Sequence, residues 1–295
     1  MSFMYLVHRV EEIAVRAGDT RSAIGEFVLR ERAHLSDYTI DEIAEACFAS
    51  KASVTRFAKS LGYNGWRDFI RDFMAEVRYE ANHNELVNFD MPFSDGDAAE
   101  TIVNAIADTH YEAVADTMRI LNRGALEKAV RYLRAASAVY VFGVSPNSYL
   151  GASFARKLLS VGKPAHVAQD GEFGVISQSL GQKDCALVIS YSGNNPQFNP
   201  LQHIPALERN RVPIIGITSE GDNYLRRHAS CTLTITSHEA LFSKIATFAT
   251  EASIHYLLDV LFACYFARDY ERNLSFKLES GRALEKDRHS LLPKR

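Results

Sequence analysis

Four serines stand in two short stretches where the chain leaves an apolar run and approaches a helix start. Cys185-Ala-Leu-Val-Ile-Ser-Tyr-Ser-Gly-Asn-Asn-Pro-Gln197 passes from unbroken apolar residues into Ser190, Ser192, Gly193 and Asn194. Val139-Tyr-Val-Phe-Gly-Val-Ser-Pro-Asn-Ser148 repeats the design, passing through Gly143 into Ser145 and Ser148. Hydroxyls and a glycine at such a place offer hydrogen-bond donors without a counter-charge, beside the unpaired N–H groups of the following helix. The chemistry that fits is the holding of a phosphate or another small oxyanion. The same residues also suit an ordinary strand-to-helix turn in which Ser and Asn cap the helix. Two loops of one design after two parallel strands favour the binding reading.

The elements that must carry these loops are legible around them. Ala186 to Ile189 is short and apolar without polar alternation, as expected of a parallel strand covered on both faces. From Ala138 onward strands are expected at Val139–Phe142, Ala165–Ala168, Cys185–Ser190, Val212–Thr218 and Cys231–Ile235. Helices are expected at about Asn147–Val161, Gly171–Leu180, Gln197–Arg209 and Asp222–His228. That alternation predicts a doubly wound, parallel, five-stranded α/β sheet, whose ligands sit beyond the carboxyl ends of the strands. Ser243–Arg268 reads as a closing helix so apolar that it must be buried, in part against a second copy of the domain. A long helix precedes the sheet over Ala98–Asn122, with Val103, Ile106, His110, Val114, Met118 and Leu121 along one side. The charged segment from Arg272 reads as a frayed tail.

Residues 1–82 read as helices throughout. Thr39 caps a short helix, Ile40 to Cys47, with Glu42 completing a capping box. Ser50 caps the next, Lys51 to Leu61, which Gly62 closes. Two helices joined by so tight a turn form a helix-turn-helix. On the second, Val54, Phe57, Ala58 and Leu61 make the inward stripe, leaving Lys51, Ser53 and Thr55 to reach base edges or phosphates, flanked by Arg56 and Lys59. Between Ser50 and Arg71 five basic residues (Lys51, Arg56, Lys59, Arg67, Arg71) oppose one acid, Asp68, for a local charge of +4. Trp66, Phe69, Ile70 and Phe73 form an apolar face further on, with Trp66 read as packing. A helical interaction domain with a solvated basic face is the alternative to a DNA reader. Residues 83–97, with Pro92 and Gly96, lose periodicity and read as a linker, giving domains at 1–82 and 98–272 and a tail at 273–295.

Thr39-Ile-Asp-Glu-Ile-Ala, Ser50-Lys-Ala-Ser-Val-Thr-Arg-Phe-Ala-Lys-Ser-Leu-Gly-Tyr and Gly65-Trp-Arg-Asp-Phe resemble the N-terminal domain of RpiR-type bacterial transcriptional regulators, in which a sugar isomerase (SIS) domain follows. The resemblance covers nearly the whole chain. It implies that Ser145, Ser190 and Ser192 hold the phosphate of a phosphorylated sugar, with Gly143-Val-Ser145 and Ser190-Tyr-Ser192-Gly193 matching the SIS signature. Where the family usually has a third hydroxyl this chain has Asn195, and where an acid commonly follows it has Gln197. An amide still donates to phosphate, and loss of the acid lowers repulsion of a dianion. Asp170, Gly171 and Glu172 either touch sugar hydroxyls or start a helix. For isomerisation the candidate acid–base groups are Glu172, His166, His238 and Glu239. A pocket that binds without turnover is the more coherent partner for a DNA-binding module. The resemblance therefore implies a regulator that pairs through its SIS domains as a homodimer or homotetramer. A sugar-phosphate isomerase with a helical appendage is the rival.

Bulk properties bound the remainder. With 47% hydrophobic and 23% charged residues and a net charge of −3, the chain reads as globular, with no global attraction to nucleic acid or membrane. Any DNA contact must come from a local patch. Cys47, Cys185, Cys231 and Cys264 are far apart and read as reduced core thiols of a cytoplasmic protein. The ten histidines form no HxxxH or His/Cys cluster, so neither a metal nor a cofactor is expected.

Overall fold

The computed structural model describes residues 6–15, 19–83, 87–236, 238–240 and 243–284. Packing divides the chain into two compact units, Met1–Ala113 with Thr236–Thr250, and Val114–Ile235 with Glu251–Arg295.

The first unit begins with α1 (Leu6–Ala14), α2 (Thr20–Arg30), α3 (Ile40–Ala46), α4 (Lys51–Ser60) and α5 (Trp66–His83). Caps set the helix boundaries. Asp19 accepts from the Arg21 and Ser22 amides, and Thr39 and Glu42 form a reciprocal capping box. Ser50 Oγ accepts from Ser53 N at 3.1 Å, and Gly62 turns the chain out of α4 at φ +88°. Val54, Phe57, Ala58 and Leu61 are buried as their spacing requires, against Ile24, Val28, Ile43, Phe69 and Phe73. Trp66 is also buried and packs on Phe69, with ring centroids 4.9 Å apart, so it is core. Residues 87–98 are irregular but held. Phe89 is buried against the His238 ring, Asp90 Oδ1 accepts from Ala240 N at 2.6 Å, and the Asp90 carbonyl accepts from Ile245 N at 3.0 Å.

The next helix, α6 (Ala99–Ile120), departs from its expected apolar side. Its buried positions are Thr109, Ala113 and Thr117, while Val103 and Met118 are exposed. After it comes α7 (Arg123–Ala135), capped by Asn122 and buried through Leu126, Ala129, Val130 and Leu133. The sequence predicts the preceding helix to end at Asn122 and marks no element over this stretch.

The sheet of the second unit comprises β1 (Val139–Phe142), β2 (Ala165–Val167), β3 (Cys185–Ile189), β4 (Ile214–Ser219) and β5 (Cys231–Ile235), all parallel, in the order β2-β1-β3-β4-β5. Between them run α8 (Asn147–Leu159), α9 (Phe173–Ser179), α10 (Ile204–Arg209) and α11 (Tyr224–His228), followed by α12 (Phe248–Ala267) and α13 (Tyr270–Leu284). β3 is buried along its whole length, as its apolar run demands. One core lies between the sheet and α7, α8 and α12, and a second on the other face against α9, α10 and α11.

Two further expectations need correction. The closing helix starts at Phe248 rather than Ser243, because a buried carboxylate, Glu239, captures the Ala249 and Thr250 amides and defines its first turn. The segment from Arg272 is helix up to Leu284 and not a frayed tail. Asn273, fully buried, donates to the Phe266 carbonyl at 3.0 Å, and the Phe276 ring lies against Gly162. Residues 285–295 of the expected tail lie outside the described residues. Cys185 and Cys231 are buried, and burial pushes their thiols up to about 12 and about 11, as befits core cysteines. Among the described residues no helix is long and apolar enough to cross a membrane, and no cluster of His, Cys, Asp and Glu could hold a metal.

Candidate functional site

The strand order reverses between β1 and β3, since the chain steps from β1 outward to β2 and then back past β1 to β3. Ligands of open α/β sheets bind at such a switch point, where the loops leave in opposite directions. Phe142 is in register with Val188, so the loops at 143–148 and 190–195 leave neighbouring strand ends. The geometry thus sets the serine-bearing stretches side by side.

The first loop is shaped by close helix–strand packing. Ser148 N donates to the Val144 carbonyl at 3.2 Å, turning the chain directly into α8, whose first turn has no side-chain cap. A Cβ on Gly151 would come within 2.5 Å of Val141 Cγ1, so only glycine lets α8 lie this close to β1. Ser145 is exposed and Ser148 is half-buried.

The second loop is tied to its neighbour. Gly193 has φ +63°, and a Cβ there would fall 2.5 Å from Asn223 Oδ1 and 2.6 Å from Thr218 Oγ1. Its N–H donates to Ser190 Oγ at 3.3 Å, and its carbonyl accepts from Leu225 N at 2.9 Å. Asn194 Oδ1 accepts from Tyr224 N at 3.4 Å. Gly193 therefore serves the loop's architecture as much as any ligand. Ser190 and Ser192 stay half-buried at the surface, and Asn195 and Gln197 are exposed.

A groove of about 550 Å³ opens from the first loop along α8 toward the edge strand β2. Gly143, Ser145 and Ser148 line it, whereas Ser190, Ser192, Gly193 and Asn195 do not. Arg156 and Asp170 also line it. Arg156 escaped the sequence reading although it stands eight residues after Ser148, two turns along the same helix side. Asp170 Oδ1 accepts from Asn199 Nδ2 at 3.4 Å, and His203 Nε2 meets Asn199 Oδ1 at 2.9 Å, linking the loops after β2 and β3. Burial holds the His203 imidazole below its usual range. Gly171, at φ +92°, makes the turn that lets α9 begin at Phe173.

Each acid–base candidate has its own surroundings. Glu239 is buried, takes the Ala249 amide, Thr250 N at 3.3 Å and Thr250 Oγ1 at 2.7 Å, and has Lys244 Nζ at 3.5 Å. Burial pushes its carboxyl above the usual range, opposed by the Thr250 hydroxyl, the Lys244 ammonium and the two amides. His238 faces Phe89, exposed His166 stacks on Tyr140 with centroids 5.0 Å apart, and Glu172 is exposed before α9.

On the helical unit, Lys51, Arg56 and Lys59 are exposed along α4, with Ser53 and Thr55 half-buried between them. Arg56 donates to Ser53 Oγ at 2.9 Å, Ser53 Oγ meets Ser50 Oγ at 3.0 Å, and Thr55 Oγ1 donates to the Lys51 carbonyl at 3.0 Å. Lys51 pairs with Asp41 of α3.

Comparison with known proteins identifies both regions. Residues 6–77 match the helix-turn-helix domain of the rpiR family, and residues 132–262 match the SIS domain. An HTH-type transcriptional regulator of Caldanaerobacter subterraneus subsp. tengcongensis is 22% identical over 262 residues, covering 88% of this chain and 90% of that one. The Vibrio vulnificus NanR protein complexed with ManNAc-6P shares the fold with a TM-score of 0.60 at 20% identity, covering 97% of this chain and 100% of that one. The sugar isomerase domain of an RpiR transcription factor from Sphaerobacter thermophilus gives 0.51 at 20% identity, over 60% of this chain and 96% of that one. A helix-turn-helix domain of the rpiR family followed by a SIS domain makes this chain an RpiR-type transcriptional regulator.

Proposed function

We propose that the SIS domain binds a phosphorylated sugar or aminosugar at the switch point, and that occupancy changes how tightly the helical domain holds its operator. In this reading Ser145, Ser148, Ser190 and Ser192, the backbone of Gly143 and Gly193, and the Asn195 amide surround the phosphate. Arg156 adds a cation along the groove, and Lys51, Ser53, Thr55, Arg56 and Lys59 face double-stranded DNA. Residues 1–82 act as the reader, 98–272 as the sensor, with 83–97 between them. The observation that carries the reading is the placement of two hydroxyl-bearing loops on neighbouring strand ends where the strand order reverses. NanR, complexed with a sugar phosphate, supports the ligand class.

The protein works as a binder and not as an isomerase, in the cytoplasm. Glu239 is spent on capping α12, and His238 and His166 are stacked against aromatic rings. The exposed Val103, Tyr111 and Met118 of α6 support a homodimer or homotetramer, and a two-fold pair would read two half-sites about one helical turn apart or a multiple. The test is a thermal-shift and calorimetric screen over pentose, hexose and aminosugar phosphates. Ser145→Ala and Ser192→Ala should each lose a charge-assisted hydrogen bond of about 1.5–3 kcal/mol, weakening the ligand by about 10- to 150-fold at unchanged stability. Wild-type affinity in both variants would refute the assignment. Interconversion of the same sugar phosphates by the purified protein would establish the isomerase instead.

A further inference from the structure

Phe48 sits in the turn between α3 and α4 with φ +50°, a conformation that suits glycine and costs a bulky residue about 1 kcal/mol. Its side chain is 99% exposed. The turn does not need the ring, because its backbone is fixed by hydrogen bonds from Phe48 N to the Glu45 carbonyl at 3.1 Å and from Ala49 N to the Ala44 carbonyl at 2.8 Å. Among the described residues no aromatic or cationic group stacks on Phe48. The fold thus carries a strained, solvent-facing aromatic ring that contributes nothing to its own packing, and strain held in this way points to a function outside the chain.

The surroundings select the partner. Ser50 and Lys51, two and three residues on, cap and open α4, and exposed Arg56 and Lys59 follow along the same helix. Of the three acids of α3, Asp41 pairs with Lys51 and Glu42 with Thr39, and exposed Glu45 is outnumbered by Lys51, Arg56 and Lys59. A polyanion fits this face. When the second helix of a helix-turn-helix enters the major groove by its N-terminal end, the preceding turn arrives at the groove with it. The apolar feature a ring meets there is the 5-methyl group of thymine. Resting on the reading of α4 as the DNA-facing helix, we infer that Phe48 is a specificity residue that packs on a thymine methyl at the edge of each half-site.

The experiment uses the full chain and duplexes that it selects from a random double-stranded pool. Phe48→Gly, which suits the backbone, should melt no lower than wild type and bind the selected duplexes about tenfold more weakly, with an unchanged salt slope. Replacing thymine by deoxyuridine at the preferred positions should weaken wild type by a similar factor and leave Phe48→Gly unaffected. Equal affinity of wild type and Phe48→Gly, or an equal deoxyuridine effect on both, overturns the inference. So does loss of self-association by Phe48→Gly at unchanged DNA affinity, which would assign the ring to a protein contact. If Arg56→Ala weakens binding while Phe48→Gly does not, this inference alone falls. If wild type selects no duplex, the DNA-facing reading of α4 falls with it.

Discussion

Two glycines in loops of the SIS domain share a left-handed backbone and differ in what stands beside them, which lets the cost of each contribution be separated. Gly193→Ala forces alanine into φ +63° and drives its Cβ to 2.5 Å from Asn223 Oδ1, so Asn223 must move. That carboxamide is buried, accepts from Arg226 N at 2.8 Å to cap α11, and donates to Thr218 Oγ1 at 3.2 Å. The backbone contributes about 1 kcal/mol, the lost cap about 1 kcal/mol and the stranded polar group about 1–3 kcal/mol. The expected loss is therefore about 3–5 kcal/mol, or some 6–20 °C in melting temperature at about 2–4 °C per kcal/mol. Gly171→Ala, at φ +92° with open space around it, should lose only the backbone part, about 2–4 °C. Thermal and urea unfolding followed by far-UV circular dichroism compare the two. Equal destabilisation by both substitutions would refute the assignment of Gly193 to packing against Asn223.

The α4 surface proposed to face DNA makes a second prediction: replacing Arg56 and Lys59 by alanine should weaken binding to all duplexes alike. It should lower the slope of log K against log salt by about 2, at about 0.9 per lost phosphate contact, and an unchanged slope in fluorescence anisotropy titrations would count against the α4 surface. Glu239 makes a prediction about pH. Because burial raises its folded pKa, the protonated form favours the fold, so its contribution is complete below the ordinary carboxylate value of 4.5 and is lost as pH rises through the raised value. Glu239→Gln should abolish that decline in melting temperature above pH 4.5, and parallel profiles for the two proteins would show that the carboxylate does not titrate with folding.

What could be read from the sequence follows how local the determinants are. The capping box at Thr39 and Glu42, the Ser50 cap and the Gly62 exit lie within a few residues of the elements they define, so the helix-turn-helix was legible almost to the residue. The strands declared themselves by apolar runs that only a sheet covered on both faces can accept. The expected helix ends correctly near Asn122, but α7 went unmarked because only Leu121 and its own cap, Asn122, separate it from α6, too short a break to announce a second element. α13 was lost to its charge, since Phe276's contact with Gly162 depends on a partner far away in the chain. Distance in sequence also concealed why Gly193 must be glycine: nothing near it announces Asn223. Arg156 was legible in principle from helical spacing after Ser148, but a basic residue near the end of α8 satisfies the helix dipole and raises no question by itself.

Binding and signalling at the switch point separate thermodynamically, and that separation decides how the effector is to be recognised. A ligand at a hundred times its Kd stabilises the fold by about 2.7 kcal/mol whether or not the DNA-binding helices respond. Its effect on operator affinity is only the difference between its affinities for the two states of the protein, typically about 1–3 kcal/mol. A sugar phosphate held by Ser145 and Ser192 equally well with DNA bound and without it would raise the melting temperature and leave the operator complex unchanged. The physiological effector is therefore the phosphate ester that does both, and by reciprocity operator DNA must alter its Kd by the same factor by which it alters the Kd for DNA. Ligand titrations with and without operator duplex measure that factor from either side. Unequal factors would mean that the serine loops and the α4 surface do not report on one equilibrium.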